Sequence, residues 1–194
     1  MGFRMNKIIS FTLYGNEPKY VKGIYENLNI QKKEGIYYDW DILIYHDDTV
    51  KESVLDYLKS EGAILEDMTN SGILASCWRF CAGDRDCERF IVRDADSRIS
   101  IREEEAVEEW IRDDTRLHIM RDHPHHGHCM LAGMWGMKTD VNFCMKTAIL
   151  QYQDGHTFRL QDRLFDQYFL RDVIYSEFVK PYQATIHNAM DFMH

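Results

Sequence analysis

The sequence predicts an α/β domain built on a mostly parallel central sheet, and three observations carry that expectation. Short apolar runs of strand length recur along the first half of the chain, with segments of helical spacing between them. Strand, helix, strand, helix, strand in that order is the signature of a parallel sheet with right-handed connections. The sharpest polar turn, Asp94 and Asp96, follows one of these runs directly. Ligands of open α/β sheets bind at that carboxyl edge.

Residues 7–13, KIISFTL, read as the first strand. Asn16 and Pro18 suit the N-cap and first position of a helix in which Val21, Ile24, Tyr25 and Leu28 share one face. A second strand at residues 41–46 ends in Asp47 and Asp48. Thr49 with Glu52 matches a capping box, Val54, Leu55 and Leu58 give that helix its apolar side, and Gly62 stops it before a third strand at 63–65. Residues 71–82 suggest a helix feeding the strand Phe90, Ile91, Val92, and Ser100 with Glu103 opens the helix behind it. A strand is expected at 117–120, a helix from Asp140 through Tyr152, and another over 162–175. The stretch RDHPHHGHCMLAGMWGMK has no clear period, and the tail from Phe178 is expected to pack back onto the domain. No repeat, low-complexity stretch or linker interrupts the 194 residues, so one compact unit is expected.

Composition excludes several function classes. A net charge of −9 argues against general nucleic-acid binding, which relies on basic surface. No stretch approaches the roughly 18 consecutive apolar residues of a membrane span. The start MGFRMNKIISF lacks a signal-peptide core, and Asn6 stands where a myristoylation signal needs Ser or Thr. Five cysteines, an odd number, read as reduced thiols of a cytosolic protein.

The chemistry concentrates in RFIVRDADSRISIRE, residues 89–103. A turn at the strand end can bring Asp94 and Asp96 to one ligand, and paired hard oxygen donors suit Mg²⁺ or Mn²⁺ with a substrate diphosphate. Arg93, Arg98 and Arg102 flank them and can neutralise the carboxylates or hold phosphate. The competing cluster is His123, His125, His126, His128 and Cys129 with Cys77, Cys81 and Cys87. No Cys-x₂-Cys pair occurs among them, so zinc spacing is lacking. Cys77 and Cys81, four apart on a helical segment, read as small core residues.

Six motifs in order resemble nucleotide-sugar glycosyltransferases of the GT-A type, more narrowly a group of small viral and bacterial enzymes. They are WRF at 78–80, RDADSRISIRE at 93–103, Trp110, RDHPHH at 121–126, AGMWGMK at 132–138 and FDQYFL at 165–170. The resemblance implies a GT-A-like, Rossmann-like fold, with residues 1–100 as the nucleotide-binding half and 101–194 as the sugar- and acceptor-binding half. FDQYFL departs from the DQD-type motif of retaining galactosyl- and glycogenin-like enzymes, and His187 is followed by NAM rather than a phosphate motif. Inverting and retaining outcomes both stay open.

The implied activity is metal-dependent transfer of a hexose-type sugar from a nucleotide sugar, a UDP-sugar by expectation, to an acceptor hydroxyl of a glycan or glycoprotein. Asp94 and Asp96 would anchor Mn²⁺ or Mg²⁺, with His187 the candidate third ligand or else a packed tail residue. Thr12, Leu13, Tyr14, Asp47, Arg79 and Ala95 join the two aspartates as expected nucleotide contacts. Tyr14 would stack on the base or serve as a surface turn residue; Asp47 would accept from the base N–H; Arg79 would reach a phosphate or brace Asp94. His123, His126, Gly133 and Trp135 are expected near the sugar, although a buried structural role for Trp135 is equally open. Asp166 is expected beside the reacting carbon, as general base in an inverting reaction, with Asp162 on the same helical face as its alternate. Two other readings are a phosphohydrolase or nuclease using the same carboxylates with two ions, and a non-catalytic module held by zinc.

Overall fold

The computed structural model describes residues 6–121, 128–140, 142–179 and 184–188. They form one seven-stranded sheet with helical layers on both faces, the α/β architecture that the alternating pattern predicts. The elements in chain order are β1 (Lys7–Leu13), α1 (Pro18–Glu34), β2 (Trp40–His46), α2 (Glu52–Ser60) and β3 (Ile64–Asp67). A 3₁₀ segment (Ala75–Asp84), β4 (Arg89–Arg93), α3 (Ile101–Asp113), β5 (Leu117–Arg121), β6 (Met134–Lys138) and α4 (Met145–Gly155) follow. A continuous helical stretch then runs through α5 (Phe165–Phe169), a π turn (Leu170–Tyr175) and α6 (Ser176–Phe178), before β7 (Ala184–Asn188).

The strand order is β3-β2-β1-β4-β6-β5-β7. β3, β2, β1 and β4 are parallel, β6 runs antiparallel to both β4 and β5, and β7 returns parallel to β5. Strand alternation divides the apolar residues into two cores. Ile9, Phe11, Ile44 and Ile91 pack under α1, α2 and α3. Ile8, Tyr45, Phe90, Val92 and Trp135 pack under the 3₁₀ segment, α4 and α5. Among the described residues no helix is long and apolar enough to cross a membrane.

Several local expectations are corrected. Glu17, not Asn16, precedes α1; the Asn16 side chain instead holds Thr49 O (2.7 Å) and Lys51 N (3.2 Å) across the carboxyl edge. Thr49 does not cap α2, because its hydroxyl is engaged by Asp47 and by Gly15 N–H, and Lys51 stands at that helix start. Ser100 does cap α3, accepting from Glu103 N–H. Residues 71–82 do not form an α-helix. There the Arg79 N–H donates to Thr12 Oγ1 (3.0 Å) and the Arg79 carbonyl accepts from the Ser10 hydroxyl (2.7 Å), which ties the tighter 3₁₀ segment to β1. Asp140 does not start α4: Asp84 takes the Met145 and Lys146 N–H groups at 2.6 and 2.8 Å. β6 emerges from the stretch without a period, and β7 from the tail.

Candidate active site

β4 ends at Arg93 and residues 94–97 close a turn, with Ser97 N–H donating to the Asp94 carbonyl at 3.1 Å. The turn is fastened to α1. The buried Asn27 donates to Ser97 O and accepts from Ile99 N–H, both at 3.0 Å. One helical turn earlier, Gly23 permits the close approach, since a Cβ there would lie 1.9 Å from the Ala95 carbonyl oxygen. Asp94 and Asp96 thereby both line a cavity of about 300 Å³ at the carboxyl edge, together with Thr12, Tyr14, Arg79 and Asp166.

Arg79 joins the parts. Its guanidinium, about one-tenth exposed, places Nη1 2.8 Å from Asp94 Oδ1 and Nη2 3.2 Å from Asp166 Oδ2. Asp166 comes from α5, so the pairing closes the two halves of the chain over the cavity. Burial raises the Asp166 carboxyl above the ordinary carboxylate range, and Arg79 beside it partly opposes the rise. Gly133 makes room for Asp94: a Cβ there would fall 2.1 Å from Asp94 Oδ2. Asp96 pairs with Lys19 Nζ at 3.1 Å on exposed surface, where an ion pair is worth little. Tyr14 is half-exposed on the rim, edge-on to Trp78 with ring centres 6.1 Å apart.

Other residues named from the sequence are placed elsewhere. Leu13 is buried in the core beneath α1, so its side chain is not in the cavity. Asp47 does not line it either; its carboxylate binds Thr49, which accepts from Gly15 N–H (2.6 Å) and so braces the loop after β1. Trp135 is fully buried edge-on to Phe80 (5.3 Å) and Phe90 (5.4 Å), and therefore packs the core rather than facing a sugar. His187 lies on β7, three strand spacings or about 14 Å from β4, with Nε2 3.2 Å from Glu109. It is not brought to the aspartates. His123 and His126 lie outside the described residues. Arg93 turns to the opposite face toward Glu103, and Arg98 pairs with Glu26, so neither of these two arginines serves the cavity. Cys77 and Cys81 are buried in the core as small residues.

Sequence reasoning missed Gly23, Asn27, Lys19, Tyr20, Ser76 and Arg163, the last three lining the cavity. Asn27 carries a readable signal, a polar residue on the apolar face beside Ile24 and Leu28. Arg163 and Ser76 carry none, because their place depends on how distant elements meet.

Two carboxylates lining one cavity, Asp94 and Asp96, match a divalent ion in donor type. Asp94 and Asp96 supply hard oxygens, and no group of three His, Cys, Asp or Glu side chains suited to a metal occurs among the described residues. Mg²⁺-type ions are commonly held by one or two carboxylates plus substrate phosphates.

No protein-family model and no curated protein matches the chain. Solved structures do. A mannosyltransferase from Pyrobaculum calidifontis, in complex with GDP-mannose and Mn²⁺, superposes with a TM-score of 0.58 at 11% identity over 96% of this chain. The chain spans about half of that protein, 55%. A glycosyltransferase involved in the glycosylation of the major capsid of PBCV-1 gives 0.53 at 12% identity, covering 94% of this chain and 81% of the other. The fold is similar to glycosyltransferase folds.

Proposed function

We propose that this chain is a metal-dependent glycosyltransferase that moves a hexose-type sugar from a nucleotide sugar, a UDP-sugar, to an acceptor hydroxyl of a glycan. The carrying observation is the meeting of Asp94, Arg79 and Asp166 in one cavity at the carboxyl edge, with Asp96 beside them. The likeness of the fold to glycosyltransferases supports the reading. GDP-mannose in the first of those structures makes a GDP-sugar the alternative donor.

In this reading residues 1–100 of a single domain hold the nucleotide, and residues 101–194 hold sugar and acceptor. Asp94 and Asp96 would hold Mn²⁺ or Mg²⁺, which when bound supplies Lewis-acid stabilisation to the charge gained by the leaving diphosphate. Arg79 and Arg163 offer guanidinium groups to the phosphates. Tyr14 offers its exposed ring to the base. Asp166 takes the proton of the acceptor hydroxyl, and the carboxyl raised by its burial suits it to that task.

A panel of UDP-hexoses and GDP-mannose, each with and without Mn²⁺, tests the reading by thermal shift and by nucleotide release. A midpoint raised by one nucleotide sugar only when Mn²⁺ is present, with release that needs a glycan acceptor, is the expected result. No shift with any nucleotide sugar overturns it. Fast release without acceptor points instead to a phosphohydrolase.

A further inference from the structure

We infer that the buried pair of Arg93 and Glu103 is a positioning clamp, which fixes the face on which Asp94 leaves β4 without adding net stability. For its functional consequence the inference rests on the proposed reading of the cavity, and it adds the residues that aim the carboxylates. Arg93 is the last residue of β4 and Glu103 lies in the first turn of α3, so the two stand at either end of residues 94–102. Arg93 Nε is 3.5 Å from Glu103 Oε2, and Nη1 donates to the Val92 carbonyl at 2.8 Å.

The strand itself holds this point from one side. Pairing of β4 with β1 stops at Val92, opposite Ser10, whereas pairing with β6 continues to Arg93, opposite Met134. Successive side chains of a strand point to opposite faces, so an Arg93 anchored on the α3 face sends Asp94 to the face of Arg79 and Asp166. A slip of one residue at the strand end would swap the two faces and carry Asp94 away from both. Asn27 fixes the middle of the segment at Ser97 and Ile99, and the Arg93–Glu103 pair fixes its ends.

Stability does not account for the pair. Arg93 is 1% exposed and Glu103 8%. Arg93 Nε and Nη2 and Glu103 Oε2 nevertheless have no hydrogen-bond partner among the described residues. His118 of β5, held neutral by burial and by the charge of Arg93, supplies no counter-charge. Taking two charges out of water with donors and acceptors unused offsets the attraction between them. An apolar pair of similar volume is commonly neutral or stabilising in such a place.

Arg93→Met and Glu103→Leu, made together, separate positioning from stability, and Arg93→Lys keeps the ion pair as a control. The double variant should melt at or above the wild-type midpoint. Its Ser97 and Ile99 amide protons, which bond Asp94 O and Asn27 Oδ1, should exchange on the order of tenfold faster than in wild type, as followed by NMR. Its affinity for UDP in Mn²⁺, read by calorimetry, should fall on the order of tenfold. Arg93→Lys should stay near wild type in midpoint, exchange and affinity. A double variant that melts well below wild type overturns the inference, because the pair is then a stabilising one. Unchanged exchange at Ser97 and Ile99 also overturns it, and leaves the transferase reading intact where wild type binds UDP in Mn²⁺. Faster exchange, beside a wild type that binds neither UDP nor GDP in Mn²⁺, upholds the clamp and overturns the transferase reading.

Discussion

The carboxylate of Asp94 rests against Gly133, so closely that a Cβ at 133 would fall 2.1 Å from Oδ2 and 2.4 Å from Cγ. The side chain of Asp94, not a backbone, occupies that space, so a methyl group would displace the carboxylate while the strand stays in place. Gly133→Ala should therefore fold with a midpoint close to wild type, yet lose affinity for UDP in Mn²⁺ on the order of tenfold, about 1.4 kcal/mol. Calorimetry beside a thermal melt checks this. Unchanged affinity would remove Asp94 from the proposed binding role.

Asn27 makes the second test of how the turn is held. Its side chain is buried and bonds Ser97 O and Ile99 N–H, so truncation leaves two main-chain groups without their partner. Asn27→Ala should cost about 2 kcal/mol in denaturant unfolding. UDP affinity should fall as well, since Asp94 and Asp96 sit on the released turn. A variant with wild-type midpoint would show that the turn holds its shape without α1.

Asp166→Asn addresses the chemical step. Removing a general base typically lowers the rate by about 10²–10⁴, and UDP-sugar affinity should change little. Burial raises the Asp166 carboxyl, so its protonated form persists to higher pH than in a free aspartate of about 3.9. Activity should be full above that raised pKa and fall as pH drops through it, which places the acidic limb above the free aspartate value. Arg79 opposes the rise, so Arg79→Gln should move the limb further upward. An acidic limb that survives in Asp166→Asn would pass the role to Asp162, whose Oδ1 now accepts from Leu164 N–H at 2.9 Å.

Asp84 provides the control away from the cavity. It holds two N–H groups at the start of α4 and lines a different cleft. Asp84→Ala should lower stability by about 0.5–2 kcal/mol, the range for a lost helix cap. Nucleotide affinity measured on the folded variant should match wild type. A large loss of affinity would mean that α4 and the cavity are energetically linked.

The local code was legible wherever a signal repeats within one element. β1 spans the seven residues its apolar run marks, β2 and β4 each extend their runs at the margins, and Ser100 caps α3 as its spacing to Glu103 indicates. Locally plausible caps failed where a residue from another loop offered a better partner. Thr49 went to Asp47 and Gly15, and Asp84 displaced Asp140 as the partner of the α4 start. β6 and β7 escaped notice because a strand's pairing edge comes from its neighbours, and β6 lies buried between β4 and β5 without an alternating pattern.

The sequence by itself determined that two carboxylates follow a buried strand and precede a helix, because apolar runs and caps act between residues close along the chain. Only the tertiary structure decided which cation meets them. Arg93 is bonded directly to Asp94, yet strand alternation sends it to the opposite face and Glu103. Arg79 reaches Asp94 because Ser10 and Thr12 pin its main chain beside β1, and Asp166 joins them only when α5 packs over the sheet.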